Sequence, residues 1–295
     1  MLVARFRLLA LSLSLFGVVA CAANGPLLGQ GVTTMRAGLA QAKTQSGQAF
    51  DDINASRRDF AIEDVLDANR APQEKDFDPV IDKDTAGRWN GAFDRLDEYF
   101  AALIDLVDAK RSQETGTQLS AIGTALQQPT IGLKLPKGSS EVFAQLGRLI
   151  VQARAENKAL GVMRRTDPAF QTLMRKMGDL VYMDDDGSGA DAGTLSGLVR
   201  TQWQRRLRDI AADDYGDVAS GPRDARAPVI QKYAAALDER NAKLATLADL
   251  RASLLALGEA HAAAAKGSDS AVLYWIGQLN DRLKEARQNV ANKGG

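Results

Sequence analysis

The sequence predicts an all-α fold, a bundle of about seven or eight mostly antiparallel amphipathic helices. Three observations carry that reading. Apolar residues recur in steps of three and four along most of the chain, the spacing that lines one face of an α-helix. Alternation of period two, the mark of a half-buried strand, is almost absent. Clusters of Pro, Gly and Asp cut the chain into helix-length pieces, with connections mostly short enough for antiparallel neighbours.

In chain order, Val32, Met35, Leu39, Phe50, Ile53, Phe60 and Val65 keep helical spacing to about Ala68, and Pro72 and Pro79 end the run. Ala86, Trp89, Phe93, Leu96, Phe100, Leu103 and Val107 form the cleanest stripe, one apolar face on one helix. A shorter helix is expected from Thr117 to Gln128, stopped by Pro129, with Thr130 to Ser140 an irregular connector. Val142, Leu146, Ile150 and Ala153 restart the period through about Val162. Asp167 and Pro168 have the chemistry of an N-cap and first helical residue, so a new helix is expected there, with Phe170, Leu173, Met177 and Leu180 on one face. Asp184 to Gly193 breaks it. Leu195, Val199, Trp203, Leu207 and Ile210 form the next stripe, and Asp213 to Pro228 reads as a polar connection. A long helix is expected from Val229 to Ala265, and a last one carries Val272, Ile276, Leu279, Leu283, Ala286 and Val290. No repeat recurs at solenoid spacing. Residues 32–293 are therefore expected to form one helical domain.

The N-terminus carries a different signal. Arg5 and Arg7 precede an uncharged apolar run from Leu8 to Ala20, and Cys21, the only cysteine, follows Val18-Val19-Ala20. The run is shorter than the about 18 to 20 apolar residues that span a bilayer, and reads as an export signal. A single Cys cannot form an intramolecular disulfide. The block Val18-Val19-Ala20-Cys21 resembles the lipobox of bacterial lipoproteins. That resemblance implies a signal peptide over 1–20, diacylation of the Cys21 sulfur, acylation of the new N-terminus and a membrane anchor. Stable anchoring takes two lipid signals, and this pattern supplies more. Ala22 stands where an Asp would signal inner-membrane retention, so the resemblance implies the outer membrane, facing the periplasm. Residues 21–31, with Gly25, Pro26 and Gly29 as punctuation, read as the lipidated Cys and a short tether of about 30 to 35 Å at most.

Charge narrows the partners little. Basic and acidic residues balance at 37 each. Without Arg5 and Arg7 the balance is 35 to 37, a net of −2 that does not attract nucleic acid.

Scarcity excludes much chemistry. His261 is the only histidine, so paired-histidine zinc and di-iron sites are impossible, and a Cys–His nucleophile pair fails because Cys21 is assigned to lipid. His261 extends the stripe Leu247, Leu250, Leu254, Leu257 and reads as a residue at the edge of the core. Its other readings are a triad member and an axial haem ligand with a methionine such as Met35. Asp184, Asp186, Ser188 and Gly189 fit the start of a calcium loop, but Asp191 and Leu195 break the pattern where the loop should close. Gly187, Gly189 and Gly193 have the wrong spacing for a nucleotide loop, and no strand precedes them. No cofactor is therefore expected. Carboxylate pairs such as Asp51-Asp52 and Asp97-Glu98 single out no acid and base. Arg200, Arg205, Arg206 and Arg208 surround Trp203 as a candidate patch for anionic ligands; the rival reading has Asp209, Asp213 and Asp214 neutralising them on a solvated face. Two function classes remain: a non-catalytic binding or structural protein presenting helix faces to a periplasmic or envelope partner, and a carboxylate-dependent enzyme acting on the cell wall.

Overall fold

The computed structural model describes residues 24–107, 112–127, 139–153, 158–185 and 190–291. Among them eight principal helices and no strand are found: α1 (Asn24–Asp67), α2 (Lys83–Val107), α3 (Ser112–Leu126), α4 (Ser139–Gln152), α5 (Ala159–Val181), α6 (Leu195–Asp209), α7 (Arg223–Lys266) and α8 (Asp269–Ala291). The all-α class is as the periodicity requires. One contiguous apolar core runs from Val32 to Leu283 and draws on all eight helices.

The two longest helices organise the rest. α1 and α7 each have 44 residues, about 66 Å at the rise of an α-helix, and lie antiparallel, with Ser56 donating to Glu239 at 3.1 Å and Lys243 against Asp52 at 2.5 Å. α2 returns along α1, fixed by Arg36 donating from Nε and Nη2 to Asp97 at 2.6 and 2.8 Å. The α1–α2 connection is held by Asn54, whose amide donates to the Ile81 carbonyl and accepts from its N–H, both at 3.0 Å. α5 lies antiparallel on the C-terminal half of α7, where Gly258 lets Met174 approach: a Cβ there would stand 3.3 Å from that of Met174. The α2 stripe is buried from Trp89 through Leu103, as its spacing requires.

α7 turns into α8 over two residues. Gly267 adopts φ 74°, and the N–H groups of Gly267 and Ser268 return to the carbonyls of Ala264 and Ala263 at 2.9 and 3.0 Å. That closure satisfies the last carbonyls of α7 and needs the left-handed residue that glycine supplies. Because α8 doubles back along α7, it runs parallel to α1. Gly38 lets the two approach, since a Cβ there would collide with the Leu279 side chain, and Gln45 of α1 donates to the Leu283 carbonyl at 2.6 Å.

Four boundaries differ from the sequence reading. The segment read as a tether is helical from Asn24, so α1 starts before Val32. Asp167 and Pro168 do not open a helix: α5 starts at Ala159 and runs through them. Val162, Met163 and Thr166 before the proline and Ala169, Phe170 and Leu173 after it are all buried, while Pro168 is exposed, so the lost hydrogen bond faces solvent and burial outweighs an interior-proline cost of about 3 kcal/mol. Likewise α7 begins at Arg223 and carries Pro228 inside it, again on the exposed side. The connection read from Asp213 is also helical, because α6 continues through a π-helical turn at Ile210–Asp214, where the Tyr215 N–H reaches the Ile210 carbonyl, into Tyr215–Val218. Of the expected connector, Thr130 to Gly138 lies outside the described residues.

Candidate functional site

A groove of about 810 Å³ opens where the start of α1, the end of α2, the end of α7 and the start of α8 meet. Its size is within the range of small-molecule pockets. α1 contributes Leu28, Gly29, Gly31, Thr33 and Thr34, α2 contributes Ile104 and Val107, and α8 contributes Val272, Leu273 and Ile276 over a floor at Ala264 of α7. The small residues make the convergence possible. A Cβ on Gly31 would stand 3.0 Å from a Val272 methyl, and one on Gly29 would stand 3.3 Å from a Val107 methyl. Alanines 262 to 265 are buried and leave the end of α7 slim enough for both neighbours to close on it.

The groove is chemically plain. The hydroxyls of Thr33 and Thr34 donate to the Gly29 and Gln30 carbonyls at 2.8 and 2.9 Å, so their donors are spent within the helix. Of the thirteen residues around it one, Asp269, is charged, and it sits in the first turn of α8, where a carboxylate suits the helix dipole. On the rim Leu273 is 66 % exposed and Tyr274 59 %, with Tyr274 packed edge-on against Trp275 at 5.1 Å.

Behind the groove floor lies a closed polar knot. His261 is wholly buried at the centre of the core, a correction to its expected place at the edge. Burial is tolerable because both ring nitrogens are satisfied: Nδ1 meets Asp167 Oδ1 at 2.9 Å and Nε2 meets the Tyr99 hydroxyl at 2.9 Å. A carboxylate only accepts, so Nδ1 carries the proton and Nε2 accepts from Tyr99. Tyr99 also meets Thr166 at 2.7 Å, and Phe170 stacks on the imidazole at 4.3 Å. Desolvation pushes the His261 pKa below its ordinary value against the pull of Asp167, and pushes that of Tyr99 up. The knot holds α2, α5 and α7 together, and no nitrogen is left over for a metal or a haem iron.

The arginines around Trp203 stand apart from both features. Arg200 donates to Asp191 at 2.6 Å and to the Met183 carbonyl at 2.8 Å. Arg206 pairs with Glu63 and lies over Phe60, and Arg205 reaches Asp64 at 3.3 Å. Arg208 is exposed. Three of the four thus meet acids other than Asp209, Asp213 and Asp214; Asp214 itself takes Lys232 at 2.8 Å. Trp203 is buried against Phe60 at 4.9 Å, with the Lys243 ammonium over its ring at 5.3 Å. Lys243 is buried too, between Asp52 and Glu239.

Of the calcium-loop residues, Asp186, Ser188 and Gly189 lie outside the described residues, as does Gly187. Asp191 is engaged with Arg200, and Leu195 opens α6. No cluster of three or more His, Cys, Asp or Glu suited to a metal is found among the described residues, and none of their helices is long and apolar enough to cross a membrane. Cys21 also lies outside them.

Sequence reasoning missed the groove, the role of Asp167 and the buried ion pairs of Lys243. The groove had a legible trace, since Gly29, Gly31 and Gly38 mark a close-packed helix face, but the first two also suit a tether. Comparison with known protein families, with curated proteins and with solved structures finds no match for this chain.

Proposed function

We propose that the chain is a bacterial envelope lipoprotein, held by lipid on Cys21 at the periplasmic face of the outer membrane, whose helical domain has a non-catalytic binding or structural role toward an envelope partner. The observation that carries this reading is the N-terminal block, in which a basic start, an uncharged apolar run and Val18-Val19-Ala20 lead into the only cysteine. The groove supports the non-catalytic part: a glycosidase needs two carboxylates about 5 to 10 Å apart, and Asp269 has no second acid with it among the residues lining the groove. The test is metabolic labelling with palmitate followed by fractionation. Label is expected in the wild type, which fractionates with the outer membrane, while Cys21→Ala yields an unlabelled soluble or uncleaved species. Wild-type protein that takes up no palmitate overturns the reading.

A further inference from the structure

We propose that the groove between α1, α2 and α8 is the resting place of one of the acyl chains carried by Cys21 of the same molecule. This rests on the lipid-anchor reading above and deepens it.

Position is the first argument. α1 begins at Asn24, three residues after Cys21, and forms the groove wall from Leu28 onward. The intervening chain can stretch at most about 10 Å, and a fatty acyl chain spans about half of a 30 Å hydrocarbon core, so the tail reaches the groove without unwinding α1. Chemistry is the second. The walls are mostly methyl groups and glycine backbone, with Gln30 and Asp269 the other polar side chains; the threonine donors are spent, and no lysine or arginine lines the groove to hold a phosphate. That surface suits a hydrocarbon chain and offers a headgroup phosphate no cation. Exposure is the third. Leu273 stands two-thirds exposed at the mouth, where removing apolar surface from water is favourable. Tyr274 and Trp275 beside it have the amphipathic rings that favour a lipid–water boundary.

The full-length chain is expressed in cells fed a diazirine-bearing palmitate analogue, irradiated in isolated membranes and mapped by mass spectrometry. Crosslinks are expected from the Cys21 lipid to Val107, Val272 and Ile276. They are lost in Thr34→Trp and in Val107→Trp, which fill the groove from separate walls, and kept in Gln204→Trp at an exposed position on α6. Two plugs on different helices keep the test decisive if one fails to fold by circular dichroism. Mixing isotopically heavy and light chains distinguishes a tail in its own groove from a tail in a second copy. Label that enters Cys21 but crosslinks only to phospholipid, to another protein or between copies overturns this inference and leaves the anchor reading intact. Label that never enters Cys21 overturns both.

Discussion

The two ends of α7 are finished with different chemistry. Toward its C-terminus, from Ser253 to Ala265, almost every residue is buried, the single titratable knot is a neutral imidazole with satisfied nitrogens, and the helix ends under a groove of methyl groups. Toward its N-terminus most residues from Arg223 to Asn241 keep contact with water, and the joints there are ion pairs: Lys243 of α7 with Asp52 of α1, and, between α6 and α1, Arg206 with Glu63 and Arg205 with Asp64. The second end closes its joints with ion pairs, and its uncovered apolar residues Ile230 and Tyr233 line a pocket of about 190 Å³; the first opens into a groove of about 810 Å³. The groove is thus the roomier apolar surface of the two ends, while the arginine-rich helix is the louder signal in the sequence.

The largest expected effect lies in the core that both ends share. Phe93→Ala and Leu96→Ala empty fully buried positions of α2 and are expected to lower stability by about 2 to 5 kcal/mol in denaturant melts, while Asp94→Ala, which removes only a half-exposed partner of Lys43, costs under about 1 kcal/mol. Equal shifts in all three would mean that the stripe does not face the core.

Next comes the charged end. Asp52→Ala leaves the Lys243 ammonium buried with Glu239 at 3.5 Å and is expected to cost about 3 kcal/mol, the low side of the range for orphaning a buried charge, because Asp52 itself keeps a third of its side chain in water. Lys243→Met removes the charge with the pair and should cost distinctly less; if the two variants melt alike, the ion pair is not what closes that joint.

The neutral end answers to pH instead. With the native pKa of His261 held below the ordinary 6.5, the unfolded chain takes up a proton that the native state refuses. Stability is then full above about pH 6.5 and falls as pH drops below it, until the native imidazole also protonates. His261→Gln should flatten that slope in melts between pH 7 and about pH 5. An unchanged slope would assign the acid sensitivity to other groups.

The smallest effect lies at the arginines. Arg206→Glu sets two acids side by side at Glu63 and should cost about 1 to 2 kcal/mol, recovered in part by Glu63→Arg, with binding to anionic vesicles unaltered. Weakened vesicle binding without loss of stability would restore the arginine cluster as a recognition patch.

How far the sequence could be read follows the range of the interactions involved. The stripe from Trp89 to Leu103 is a local pattern, and its buried face is where the spacing puts it. Asp167 and Pro168 show the limit: every local rule makes them a helix start, yet the carboxylate is used by His261 far along the chain, and the buried faces on both sides of the proline carry the helix through it. Pro228, also inside a helix and on its exposed side, misleads in the same way. The groove is assembled from four helix ends, none of which carries a motif by itself, and Gly29 and Gly31 reveal their purpose only once Val107 and Val272 stand against them.

Amide hydrogen exchange on the lipidated chain reconstituted in vesicles, against soluble Cys21→Ala, tells whether the groove end faces lipid while the ion-paired end does not. Added protection is expected at Leu28 to Thr34, Ile104 to Val107 and Asp269 to Ile276, with Ser56 to Asp64 and Arg223 to Glu239 unchanged. Protection that rises instead along the ion-paired end, or nowhere, would contradict it.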